Sequence, residues 1–225
     1  MMHPELDLRC YFVTGADDEP HRVVERAQQA AAGGAGVIQV RSKPITAREL
    51  YALTDAIALA VAKINPRTRV LVDDRLDIAL ALHENGVAGI HLGQDDIDVV
   101  VARRLLGPDA IIGLTTGTHE LVQSANQVAD VIDYIGCGPF RATPTKDSGR
   151  TPIGLSGYPA LVKESMVPLV AIGDVTAADA YELARAGVDG CAIVRGIMCA
   201  DHPQAYVEQV ITEFDRGRPH RSAAP

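Results

Sequence analysis

Residues 69–96 read RVLVDDRLDIALALHENGVAGIHLGQDD. Arg69–Val72 and Gly89–Leu92 are short apolar, partly β-branched runs of strand character, and RLDIALALHENG between them carries apolar residues at helical spacing with a glycine placed to cap its end. The stretch is therefore a strand, a loop, a helix and a second strand, and both strands are followed by paired aspartates.

The same unit recurs on either side. Candidate strands lie at Leu8–Thr14, Gly36–Arg41, Arg69–Val72, Gly89–Leu92, Ala110–Leu114, Val131–Cys137, Pro168–Ile172 and Gly190–Val194. The clearest intervening helix is ITARELYALTDAIALAVAKI, where Thr46 and Glu49 match a capping box and Leu50, Leu53, Ile57 and Val61 fall on one face. DVVVARRLLG, HELVQSANQVAD, SGYPALVKES and AADAYELARAGVDG repeat the pattern. Eight strand–helix units with strands buried on both faces predict an α/β fold, a parallel (β/α)8 TIM barrel in a single domain over residues 1–215; a doubly wound sheet is the competing architecture. Arg216–Pro225 reads as a polar C-terminal tail.

With 225 residues and 47% hydrophobic content, the chain is long enough to bury a large core. The 29 acidic against 21 basic residues give a formal charge of −8, which opposes general attraction to nucleic acid or to an anionic membrane and leaves local phosphate pockets open. No stretch has the length and purity of a membrane span, and MMHPELDLRC has neither a basic lead nor a long apolar run. The expectation is a cytoplasmic protein with small-molecule partners, no nucleic-acid or membrane partner, and a homo-oligomer left open. Cys10, Cys137, Cys191 and Cys199 form no CxxC pair and read as free, buried thiols.

A barrel of this kind places its chemistry at the C-terminal ends of the strands. Polar residues collect there: QVRSK after the second strand, DDR after the third, HLGQDD after the fourth, TTGT after the fifth, GPFRATPTK after the sixth, GD after the seventh and an arginine after the eighth. Gln39 and Arg41 alternate with Val40 and Lys43 continues the row, so two cations and an amide facing the mouth suit a diphosphate; an exposed strand end with surface charges is the alternative. Asp73, Asp74, Asp95 and Asp96 are hard oxygen donors of the kind Mg²⁺ takes together with substrate phosphates, or else helix caps. His91 reads as a hydrogen-bonded packing residue, and the other histidines lack the spacing of metal ligands. Gly173, and Val194 with Arg195, sit where the last two loops of such barrels offer main-chain N–H groups to a phosphate; for Gly173 a tight turn is the alternative.

Taken jointly, QVRSK, DDRLDIAL, GIHLGQDD, GLTTGT, GPFRATPTK, VAIGDV and AIVRGI resemble the thiamine phosphate synthase family, from Tyr11 to about Met198. The resemblance implies condensation of a hydroxymethylpyrimidine diphosphate with a thiazole phosphate, releasing pyrophosphate by a dissociative, Mg²⁺-assisted route. It places the pyrimidine diphosphate at Gln39, Val40, Arg41, Ser42, Lys43, Asp73, Thr115 and Lys146, with Lys146, Arg41 and Lys43 serving catalysis. Asp74 and Asp96 would hold Mg²⁺. Thr143, Pro144, Thr145, Gly173, Asp174, Val194 and Arg195 would hold the thiazole phosphate. The chain departs from the family pattern at Asp73 (asparagine usual), Gly117 (histidine common), Arg141 and Ala142 (an aromatic and proline usual) and Asp174 (glycine usual). The other readings are a thiazole tautomerase, which needs no diphosphate or Mg²⁺ site, a sugar-phosphate isomerase or epimerase, and a noncatalytic thiamine-precursor binding protein.

Overall fold

The computed structural model describes residues 6–16, 19–142 and 149–218. Its eight strands are β1 (Cys10–Val13), β2 (Val37–Val40), β3 (Arg69–Asp73), β4 (Val87–Leu92), β5 (Ile111–Thr116), β6 (Tyr134–Cys137), β7 (Leu169–Ala171) and β8 (Gly190–Ile193). They form a closed barrel in sequence order, with β1 pairing in parallel to both β2 and β8. The eight-unit reading of the sequence and the barrel topology therefore agree, and the doubly wound sheet is excluded.

Strand residues alternate between two apolar layers. Leu71, Ile111, Val170 and Ala192 point into the barrel, and Phe12, Ile38, Val72, Ile90 and Ile135 point out toward the helices. Burial on both faces is why these segments read as continuous apolar runs rather than as alternating ones.

The helices are α1 (Pro20–Ala32), α2 (Ala47–Ile64), α3 (Leu76–Ala81), α4 (Val99–Leu106), α5 (His119–Asn126), α6 (Gly154–Glu164), α7 (Ala180–Arg185), α8 (Arg195–Met198) and α9 (Pro203–Gly217). The Thr46–Glu49 capping box forms as expected: Thr46 Oγ1 accepts from the Glu49 N–H, and the Glu49 carboxylate accepts from the Thr46 N–H at 3.1 Å. Leu50, Leu53, Ile57 and Val61 are its buried stripe.

Boundaries moved where pairing, not apolarity, decides a strand. Val131–Asp133 is apolar enough for a strand, but the Val131 and Ile132 N–H groups both donate to Val128 O, so a helical turn continues and β6 begins at Tyr134. The polar tail placed from Arg216 starts too early. Val210 and Phe214 are fully buried on α9 and carry the helix to Gly217, with Arg216 paired to Glu213 and its guanidinium 5.6 Å from the Tyr181 ring centre. Residues 219–225 lie outside the described residues. Among the described residues no helix is long and apolar enough to cross a membrane. Cys10, Cys137 and Cys191 are buried free thiols as expected, whereas Cys199 is exposed.

Candidate active site

A cavity of about 660 Å³ opens at the C-terminal ends of the strands. Gln39, Asp73, Asp74, Asp95, Asp96, Thr115, Gly173, Asp174, Val194 and Arg195, drawn from six strand ends, all line it together with Arg41. Barrel closure thus brings together what the loops only suggested.

The second-strand row is not straight. β2 stops at Val40, whose side chain packs outward in the helix-facing layer, while Gln39 points into the barrel. Gln39 is buried and its Nε2 has no hydrogen-bond partner among the described residues, which leaves a donor for a ligand at the cavity. Arg41 is held by its main chain: its N–H donates to Thr14 Oγ1 at 2.8 Å and its carbonyl accepts from the same hydroxyl at 2.9 Å. Ser42 and Lys43 turn into an adjoining recess, from which the Lys43 ammonium reaches Asp74 and comes within 3.4 Å of Asp73.

Asp74 adopts a left-handed backbone, φ 62°, that aspartate tolerates better than most residues. That turn sets two consecutive carboxylates at the mouth. Asp73 Oδ2 lies 3.5 Å from Arg41 Nε. Burial, and then the neighbouring Asp74 charge, push the Asp73 carboxyl up to about 6. Burial and a hydrogen bond with Asp74 raise Asp96, whose carboxylate also accepts the Gly93 N–H at 2.7 Å. Burial works against the charge on Lys43, but Asp74 and Asp73 outweigh it and hold the ammonium protonated above its ordinary range.

Asp74 and Asp96 are hard oxygen donors within hydrogen-bond reach of one another, with the Lys43 ammonium against Asp74. Among the described residues no group of three or more His, Cys, Asp or Glu side chains is arranged as a metal cage. That donor set fits Mg²⁺, which is ordinarily bound by one or two carboxylates and completes its shell with phosphate oxygens and water.

The floor of the cavity holds a group that sequence reading did not assemble. His91 forms hydrogen bonds through both ring nitrogens, Nδ1 to Tyr134 Oη and Nε2 to Thr115 Oγ1, each at 2.9 Å, and stacks on the Tyr134 ring at 5.5 Å between centres. Tyr134 Oη in turn lies 2.6 Å from Tyr11 Oη. Burial, above all, pushes both phenols well above their ordinary range, so each keeps its one proton. Tyr11 has no other acceptor among the described residues and donates to Tyr134, which donates to His91 Nδ1. With Nδ1 accepting, a neutral imidazole carries its proton on Nε2 and gives it to Thr115 Oγ1. His91 is the hydrogen-bonded packing residue that its apolar setting predicted, and it also lines the cavity. An added Cβ at Gly113 would lie 2.5 Å from His91 Nδ1 and overlap the Tyr134 phenol, so the glycine there makes room for the chain of hydrogen bonds.

Opposite this floor, Gly173 (φ 103°) passes so close to Pro139 that an added Cβ would stand 2.6 Å from its Cα. Asp174, also left-handed at φ 57°, forms an ion pair with Arg195, which offsets its charge at the cavity wall. Arg141 pairs with Asp179, donates to Asp174 O at 3.1 Å and lies 4.3 Å from the Phe140 ring centre, tying the loop after β6 to the loop after β7. Asp179 is stabilised as the anion: burial opposes it, but Arg141 and Thr176 outweigh that and lower its carboxyl. Thr143, Pro144, Thr145 and Lys146 lie outside the described residues.

A family model described as thiamine monophosphate synthase matches residues 10–197. The thiamine-phosphate synthase of Corynebacterium jeikeium is 65% identical over 214 residues, covering 95% of this chain and 97% of that one. That of Corynebacterium efficiens is 60% identical over 219 residues, covering 96% and 100%. Among solved structures, a thiamine phosphate pyrophosphorylase from Pyrococcus furiosus superposes with a TM-score of 0.80 at 29% identity, covering 95% of this chain and 98% of that chain. With the barrel, the cavity and matches that run the length of the chain, this protein belongs to the thiamine monophosphate synthase family.

Proposed function

We propose that this chain joins 4-amino-2-methyl-5-hydroxymethylpyrimidine diphosphate to 4-methyl-5-(2-phosphoethyl)thiazole, or to its carboxylate form, giving thiamine phosphate and pyrophosphate, with the carboxylate lost as CO2 in the second case. The observation that carries the reading is one cavity lined by Arg41, Asp74, Asp96 and Thr115 from the β2 to β5 strand ends and by Gly173, Val194 and Arg195 from the β7 and β8 strand ends.

In this reading the Gln39 amide donates to the pyrimidine ring, and Arg41, Lys43 and Thr115 hold the diphosphate; Ser42 and Asp73 border it. Mg²⁺ held by Asp74 and Asp96 would neutralise charge on the departing pyrophosphate. The bond between the pyrimidine methylene and the diphosphate oxygen breaks, and pyrophosphate leaves with the electron pair. The resulting methylene cation, stabilised by the aminopyrimidine, is captured by the lone pair of the thiazole nitrogen. No protein nucleophile is consumed, so the chain's work is positioning and charge stabilisation. Lys146 is assigned to the leaving group, and Thr143, Pro144 and Thr145 to the thiazole phosphate. The main-chain N–H groups of Gly173, Asp174, Val194 and Arg195 complete the phosphate end. Arg41, Lys43, Asp74 and Asp96 have no role in a thiazole tautomerase or a sugar-phosphate isomerase. A cytoplasmic setting belongs to the same proposal, and the four unpaired thiols are consistent with it.

The test is turnover. Purified protein with Mg²⁺ and both precursors should release pyrophosphate and thiamine phosphate in equal amounts. Binding of both precursors without release would leave a precursor-binding protein instead.

A further inference from the structure

Arg141 and Asp174 both stand where the family pattern has another residue, and in the fold the two meet. Asp174, at φ 57°, lies in the left-handed region, which persists in a residue other than glycine where its surroundings fix it. The loop after β6 does the fixing. The Phe140 N–H donates to Ile172 O at 2.8 Å, the Arg141 N–H to Gly173 O at 3.0 Å, and Arg141 Nη1 to Asp174 O at 3.1 Å. Three consecutive carbonyls of the loop after β7 are therefore taken from one side.

A planar trans peptide points its carbonyl and its N–H in opposite directions. Holding those three carbonyls toward Phe140 and Arg141 turns the N–H groups of Gly173, Asp174 and Val175 the other way. All three residues line the cavity, and their N–H groups meet no acceptor among the described residues. Successive backbone N–H groups of a turn are a recurrent anion-binding device.

Arg141 is not itself among the residues that line the cavity. Its guanidinium is engaged by the Asp179 carboxylate, which pairs with both Nη atoms, Nη1 at 2.8 Å. The same carboxylate accepts from the Thr176 N–H at 2.9 Å and from Thr176 Oγ1 at 2.8 Å, so the anchor belongs to the turn that follows the loop. The buried Phe140 ring, its centre 4.3 Å from the guanidinium carbon, closes another side. A guanidinium anchored in this way presents its donors in fixed directions, which an ammonium does not.

We propose that Arg141 is a positioning residue for the phosphate end of the cavity: anchored on Asp179, it holds the Asp174 carbonyl and so sets the N–H groups of residues 173–175 toward the thiazole phosphate. This rests on reading that end as the thiazole phosphate site. The test compares the whole wild-type protein, with Mg²⁺, against Arg141→Met, Arg141→Lys, Asp179→Asn and the double variant Arg141→Met with Asp179→Asn. Thiazole phosphate and pyrophosphate are titrated separately by calorimetry, and KM and kcat are measured for both precursors. Arg141→Met keeps a stem over Phe140 and loses the guanidinium. It should weaken thiazole phosphate binding and raise its KM by about tenfold, with pyrophosphate affinity and kcat held within about twofold. Arg141→Lys keeps a cation at Asp179 and should recover part of the loss. Asp179→Asn should weaken thiazole phosphate binding too, and the double variant should lose no more than Arg141→Met alone, because both changes break one anchor.

Wild-type thiazole phosphate affinity in a folded Arg141→Met protein overturns the proposal. So does a loss that falls equally on pyrophosphate, which would be a general loosening of the barrel mouth, and so do strictly additive losses in the double variant. If Arg141→Met does not fold, Arg141→Lys and Asp179→Asn decide, and unchanged affinity in both refutes the positioning role. Failure of wild type to bind thiazole phosphate would instead remove the reading of this end of the cavity, so the two failures are distinguishable.

Discussion

Replacing Tyr134 by phenylalanine removes one oxygen and breaks two hydrogen bonds in the barrel floor. The hydroxyl stands 2.6 Å from Tyr11 Oη and 2.9 Å from His91 Nδ1, and the ring is fully buried. A buried polar group left without its partner costs about 1–3 kcal/mol, and Tyr134→Phe affects two, so the expected loss of stability is about 2–5 kcal/mol. Tyr11→Phe removes only the terminal donor, while Tyr134 continues to donate to His91; its expected cost is about 1 kcal/mol. In the double variant no Tyr11 hydroxyl remains to be stranded, so the loss should be smaller than the sum of the singles by about 1–2 kcal/mol. Urea unfolding of the four proteins, with unchanged denaturant slopes, measures this coupling directly. Nitrogen NMR of the His91 ring should find the proton on Nε2 in wild type and a mixed population in Tyr134→Phe. Strictly additive losses, or a wild-type proton on Nδ1, would refute the one-directional hydrogen-bond chain.

Three further outcomes follow from the cavity wall. A carboxyl raised from 3.8 to about 6 binds a proton more readily in the folded than in the unfolded chain, so Asp73 weakens the fold as pH rises through that window. With chelator present, Asp73→Asn should therefore be near neutral at pH 4 and stabilising above pH 7, by about 3 kcal/mol at most, from thermal unfolding at the two pH values; equal effects at both would contradict it. Asp174→Gly should preserve or improve thiazole phosphate affinity by titration, because it frees Arg195 from an ion pair and takes a carboxylate from the phosphate end; a large loss of affinity would show that Asp174 itself positions the ligand. Asp96→Asn should raise the Mg²⁺ concentration needed for half-maximal pyrophosphate binding by about tenfold while leaving thiazole phosphate binding in place, and an unchanged Mg²⁺ dependence would remove Asp96 from the metal site.

The barrel was legible because its evidence is local. Eight apolar runs, the Thr46–Glu49 box and the polar residues at each strand end are all written within a few residues of one another, and the fold adds only the order of closure. The family resemblance was legible for the same reason: its motifs are strand ends.

What closure alone decided is the wall between those motifs. Tyr11 and Tyr134 are 123 residues apart, His91 and Tyr134 are 43 apart, and Arg150 stands 34 residues from the carbonyl it holds. None of these pairs has a periodic or spacing signature. A tyrosine inside an apolar strand looks the same whether it faces the helices or the barrel axis, and an arginine after a loop looks like surface charge. Which face a strand side chain occupies is fixed by barrel register, and which strand end an arginine reaches is fixed by the path of the chain, here to the Thr116 carbonyl. The sequence by itself determined the repeat, the loops and the kinds of ligand they suit; the tertiary structure decided which distant side chains share the cavity, because only the closed barrel sets them within hydrogen-bond reach.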